Sequence, residues 1–205
     1  MSEADTGVGN QSEMAGAVFG RGMAAIIMSF FGFVWLGWGF SAVAAVSNFP
    51  PELWAAFFIV TVVLLGFAIA AVRRGRTLMK AQGTSRREFW SQRGRLFRIV
   101  TILEVLGCVL VVVLANIFHH PGWIASGISF VVGLHFIPLG SIFDFPAYYF
   151  IGSLIAVWAI LSVAALKPSN STAFAALGTG VILWVTAIAV LFRSIRLARK
   201  LAMSD

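Results

Sequence analysis

The chain has 205 residues, of which 60% are hydrophobic and 11% charged, and its formal net charge is +7. Soluble domains average roughly 45–50% apolar and 25% charged residues, so water is excluded as the solvent for most of this chain. The single cysteine, Cys108, excludes a disulfide framework or a thiol pair for metal or redox work.

A helix that crosses a bilayer needs ~20 mostly apolar residues. Six runs meet that length, near 21–46, 53–72, 99–118, 121–140, 147–166 and 173–192. The fold class they predict is all-α: an integral membrane bundle of six transmembrane helices, with the lipid bilayer as its principal partner. The positive charge does not point to nucleic acid, because the cations sit between spans rather than on the face of a soluble domain.

Residues 1–18 are expected to be a short, disordered cytoplasmic tail. Glu3, Asp5 and Glu13 lie in its first part with no Lys or Arg, the wrong charge for the front of a secretory signal peptide. The first span is rich in aromatic residues and glycine, and Trp35 and Trp38 fall where an aromatic belt at the outer boundary is expected. Asn48-Phe49-Pro50-Pro51 supplies the outer turn, since a residue before proline is pushed out of the helical region.

Segment 73–98 reads as the one sizeable cytoplasmic loop. It carries nine cations: Arg73, Arg74, Arg76, Lys80, Arg86, Arg87, Arg93, Arg95 and Arg98. Ser85 followed by Glu88 fits a capping box, which predicts a helix starting near Arg86. Phe89, Trp90, Leu96 and Phe97 alternate with arginines there, a pattern suited to the headgroup region, with anionic lipid headgroups or a protein partner as ligands. A solvated segment that only sets topology fits the same residues.

His119-His120-Pro121-Gly122 makes a very short outer turn, so spans three and four form a tight antiparallel hairpin. Lys167-Pro168-Ser169-Asn170 forms the last outer turn, and residues 193–205 form a basic cytoplasmic tail. Cytoplasmic loops carry Lys and Arg in excess. With six spans, Arg21, the nine cations of 73–98, and Arg193, Arg196, Arg199 and Lys200 all share one side, against Lys167 on the other. Both termini are therefore expected in the cytoplasm. Met28-Ser29-Phe30 recurs as Ile128-Ser129-Phe130, the kind of match an inverted repeat of three plus three spans would leave.

Ionisable side chains inside hydrocarbon are costly and are default candidates for function. Two stand deep in the spans, Glu104 and His135. Glu104 lies sixteen residues before His120 and His135 fifteen after it, so a tight hairpin puts them level. A carboxyl group and an imidazole in reach of one another can share a proton, which suits proton-coupled movement. Thr101, Glu104, Gly107 and Cys108 follow helical spacing and give span three a partly polar face, with Thr101 completing the candidate site. Polar side chains also serve as glue between membrane helices, and a Glu–His contact fits that role equally.

His119 and His120 are adjacent in a turn and lack an accompanying carboxylate or cysteine, so no metal site is expected. Haem held between helices would need two deep histidines, and His135 is the single one. No catalytic residue set and no cofactor is expected, and an enzyme is disfavoured.

Gly133-Leu134-His135-Phe136-Ile137-Pro138-Leu139, followed by Tyr148, Tyr149 and Gly152, resembles a motif of a family of uncharacterised small multispan bacterial membrane proteins. The likeness covers about twenty residues and implies membrane location and prominence for His135 and Pro138. Pro138 is expected to break or kink the end of span four just after the histidine. The expected role is movement of a small solute or proton. The rival is a non-transporting module that binds anionic lipid or a partner through 73–98. Homo-oligomerisation stays open.

Overall fold

A computed structural model describes residues 3–45, 50–81, 83, 86–143 and 145–203. The capping serine Ser85, the turn residues Asn48 and Phe49, and Asp144 lie outside the described residues. The described residues form six α-helices: α1 Glu3–Ala44, α2 Pro51–Ala81, α3 Arg86–Ile117, α4 Ile124–Ile142, α5 Ala147–Ala164 and α6 Pro168–Ala202. A 3₁₀ turn, Pro121–Trp123, precedes α4.

Each helix contains a stretch long and apolar enough to cross a membrane: Met14–Ala44, Glu52–Ala81, Arg93–Ile117, Pro121–Ile142, Ala147–Ala164 and Asn170–Arg199. In lipid no water is present to bond free N–H and C=O groups, and a helix satisfies them within itself. The chain is a multi-pass membrane protein. Proline punctuates the helices at their starts: Pro51 and Pro168 are first residues, Pro146 is the N-cap of α5 and Pro121 opens the 3₁₀ turn. The missing N–H does no harm there.

Three expectations are corrected. Helix α1 begins at Glu3, so most of the expected disordered tail is helical. Ala15, Val18 and Phe19 are buried, and their i, i+3, i+4 spacing continues the apolar face of the span. Segment 73–98 is not one loop either: α2 continues to Ala81, and α3, which starts at the expected Arg86, runs on into the third span, so the cations stand on helices. Finally, of the break or kink expected at Pro138, the break is absent, since α4 runs on to Ile142.

The molecule divides into two compact units, drawn from Met1–Phe30, Ala56–Gln92 and Trp184–Asp205 for the first, and Phe31–Ala55 and Arg93–Leu183 for the second. In the first, Ala15, Phe19, Val72 and Met79 form one apolar cluster, and Val18, Ala198 and Leu201 another. Glycine brings α1 and α2 close: a Cβ on Gly75 would stand 2.6 Å from Cα of Phe19. Trp184 donates its indole N–H to the carbonyl of Ser29 at 3.3 Å and stacks on Phe57 at 5.2 Å between centroids.

In the second unit, α4 is the central element. It runs antiparallel to α5, pairing Ser126 with Ser162 at 2.7 Å between hydroxyls and setting Gly133 against Gly152. Its parallel contact with α6 joins the Ser129 and Thr179 hydroxyls at 2.9 Å, and Ser171 donates to the carbonyl of Gly122 at 3.0 Å. Trp158 of α5 stacks on Phe174 and donates to that residue's carbonyl at 2.9 Å. Trp35, expected in an aromatic belt, is buried at 5% exposure and stacks on Trp38.

Candidate intramembrane acid–imidazole site

The site depends on the turn between α3 and α4. His120 N–H bonds Ala115 carbonyl at 2.8 Å and His119 N–H bonds Asn116 carbonyl at 3.1 Å. This is the double closure of a Schellman motif, and it places His119 in the left-handed region with φ 56°. His120 stacks on Trp123 at 4.3 Å between centroids, which closes the turn.

From that turn the two helices run as a ladder. A Cβ on Gly127 would lie 2.5 Å from a Val111 methyl, and one on Gly107 would lie 2.9 Å from a Val131 methyl. Phe97 meets Phe143 edge-on at 5.9 Å, and Arg93 Nε donates to Ile142 carbonyl at 3.1 Å. Glu104 and His135 occupy the rung between the Gly107–Val131 and Phe97–Phe143 contacts. His135 Nδ1 lies 3.3 Å from Glu104 Oε2, with side chains 11% and 24% exposed respectively. The approach has the distance of an ion pair without the alignment of a hydrogen bond, and among the described residues Nδ1 is a buried nitrogen with no hydrogen-bond partner. The imidazole also faces the backbone of Val100, one turn before Glu104.

Thr101 does not join the pair. Its hydroxyl donates to Phe97 carbonyl at 2.9 Å, within its own helix. Cys108 is half-buried one turn beyond Glu104. Among the described residues, no group of three or more His, Cys, Asp or Glu is placed to hold a metal ion.

Helix α3 is peripheral. Among its described side chains only Ala115 is buried, while Ile102, Leu103, Val105 and Leu106 are each more than half exposed. Its narrow inward face therefore lies on α4, with Glu104 at the margin of that seam. On α4 the small-residue face, Ala125, Ser126, Ser129 and Gly133, is buried. His135 projects from a different face, the one that meets α3.

The basic residues separate into two kinds. Arg93 is half-buried and bonds the last residue of α4, and the exposed Arg74 donates through Nη2 to Ala198 carbonyl near the end of α6 at 3.4 Å. Both place a cation at the negative end of a helix dipole. Arg73, Arg76 and Arg95 are exposed, and Arg76 lies over the Phe19 ring at 5.9 Å. Arg86, Arg87 and Trp90 fall in the first turns of α3, and their side chains lie outside the described ones.

Most of the run from Gly133 onward serves packing. Gly133 and Gly152 meet across α4 and α5, Gly140 lies under the Tyr149 ring, and the Tyr149 hydroxyl pairs with Ser141 at 2.5 Å. Tyr148 is buried against Phe136 and Phe145. Sequence reading missed the hydroxyl pairs Ser126–Ser162 and Ser129–Thr179. A signal existed in two serines three apart on a small-residue face, since a buried hydroxyl in lipid needs a partner.

No protein-family model, no curated protein and no solved structure matches the chain. The resemblance of the Gly133–Leu139 run to small bacterial membrane proteins stands on those residues alone.

Proposed function

We propose that this is a bacterial inner-membrane protein, with both ends in the cytoplasm, that moves a proton or a small solute with a proton. Glu104 and His135 are the groups that take up and release the proton. The observation that carries this reading is the 3.3 Å approach of His135 Nδ1 to Glu104 Oε2 inside the spans.

The chemistry is a single transfer. A proton on Glu104 Oε2 passes to His135 Nδ1 and leaves a carboxylate beside an imidazolium, and the reverse step restores two neutral groups. The charged pair attracts α3 to α4 strongly in a medium of low dielectric, and the neutral pair does not. Since α3 rests on α4 by a narrow seam, this change in attraction is where proton occupancy can be coupled to helix movement.

The test is proton entry into proteoliposomes that hold a pH-sensitive dye, driven by a potassium diffusion potential. The wild type is expected to conduct. Glu104→Gln and His135→Gln are expected to reduce flux at least tenfold while both variants insert and keep wild-type helix content. Wild-type flux in either well-folded variant, or none above empty vesicles in the wild type, would remove the reading.

A further inference from the structure

We infer that the exposed faces of α2, α3 and α6 bind anionic phospholipid headgroups through a cationic stretch continuous with an apolar stripe, and that Arg74 and Arg93 take no part in this. On α2, Ile69, Arg73, Arg76 and Lys80 follow spacings of four, three and four, and all are exposed. On α6, Val185, Ile188 and Phe192 lead at the same kind of spacing to Arg196 and Arg199, again all exposed. On α3 the order is reversed: Arg95 and Arg98 come first and Ile102, Val105 and Val109 follow, all exposed.

Each stripe changes once from apolar to cationic. On α2 and α6, which end at Ala81 and Ala202, the cations lie toward the C-terminal end, whereas on α3, which starts at Arg86, they lie toward the N-terminal end. Residues three and four apart lie on one face of a helix, so one molecule lying along such a face touches both portions. A phospholipid has that shape, with acyl chain against the apolar residues and phosphate against the guanidinium groups. A soluble acidic protein or free phosphate needs the cations and has no use for the apolar continuation. Arg74 and Arg93 are committed to other helices, through the carbonyls of Ala198 and Ile142, whereas Arg98 donates within its own helix, to Gly94.

The experiment uses the full chain in nanodiscs of equimolar phosphatidylglycerol and phosphatidylcholine, with the lipid retained after gentle release counted by native mass spectrometry. A cation near an anionic surface is worth roughly fivefold in local preference, so the wild type should retain phosphatidylglycerol at least several-fold over phosphatidylcholine. The variant Arg95→Gln/Arg98→Gln/Arg196→Gln/Arg199→Gln should fall toward parity, as should each of its two halves to a smaller extent. Arg74→Gln and Arg93→Gln should keep the wild-type ratio and lose thermal stability instead. Parity in the wild type overturns the inference. So does a ratio that the paired variants leave unchanged, or one that falls as much with Arg74→Gln as with the Arg196→Gln/Arg199→Gln pair.

Discussion

A Cβ on Gly152 would stand 2.5 Å from the carbonyl oxygen of Gly133, so the backbones of α4 and α5 meet at these two glycines. Lipid is as apolar as leucine, and close packing rather than hydrophobic burial holds membrane helices together. The crossing is therefore a principal contact between the two helices, flanked by Ser126–Ser162 on one side and Gly140–Tyr149 on the other.

Gly152→Ala and Gly133→Ala are expected to lower stability by about 1–3 kcal/mol each, because the methyl meets backbone that cannot rotate away. A Cβ on Gly66 would meet nothing within 4 Å, so Gly66→Ala should be neutral or stabilising by up to about 1 kcal/mol through helix propensity. Thermal unfolding in one detergent compares the three. Equal midpoints would mean that α4 and α5 do not touch at Gly133.

His119 holds φ 56° at a position where glycine is preferred. His119→Gly should raise stability by about 0.5–1 kcal/mol, and His119→Val should lower it by at least as much, since a β-branched residue is strained there. The ranking Gly, His, Val in unfolding midpoint is the outcome to look for. A midpoint for the glycine variant below the wild type would place the turn in another conformation.

Ser129 and Thr179 link α4 to α6 through their hydroxyls at 2.9 Å. A double-mutant cycle with Ser129→Ala and Thr179→Val should return a coupling near ~0.6 kcal/mol, with ~1.7 kcal/mol as the upper end for such pairs in membranes. Strictly additive losses would show that the two hydroxyls do not interact.

Arg93 caps α4 from a half-buried position. Arg93→Gln should cost about 1 kcal/mol, within the range for a partly buried cation at a helix C-terminus, and Arg93→Lys should recover part of it. Hydrogen exchange at the last turn of α4 is the direct readout, with faster exchange expected in the glutamine variant. No change there would assign the stabilisation to some other contact of Arg93.

The level of Glu104 and His135 was legible from the chain because helical rise is constant and a turn as short as 119–122 leaves no slack. Two residues equally far from such a turn must lie side by side. That His135 looks toward α3 while Ser126, Ser129 and Gly133 are buried on another face was decided by the packing of α4. What Thr101 bonds was not legible, because a threonine in a helix can satisfy its hydroxyl on the carbonyl four residues back, and helical spacing does not reveal which choice it makes.

Six apolar runs of helix-spanning length determined that this protein resides in lipid as six helices, because a helix satisfies its own backbone groups there and a barrel strand would need only about half as many residues. Tertiary structure decided which side of each helix meets another helix. In a bilayer an outward leucine and a packed leucine experience nearly the same medium, so hydropathy does not distinguish the peripheral α3 from the central α4. The same limit applied to the arginines. Their charge was plain in the chain, but Arg74 and Arg93 turn to helix ends more than forty residues away in sequence, and only the packed molecule brings those carbonyls within reach.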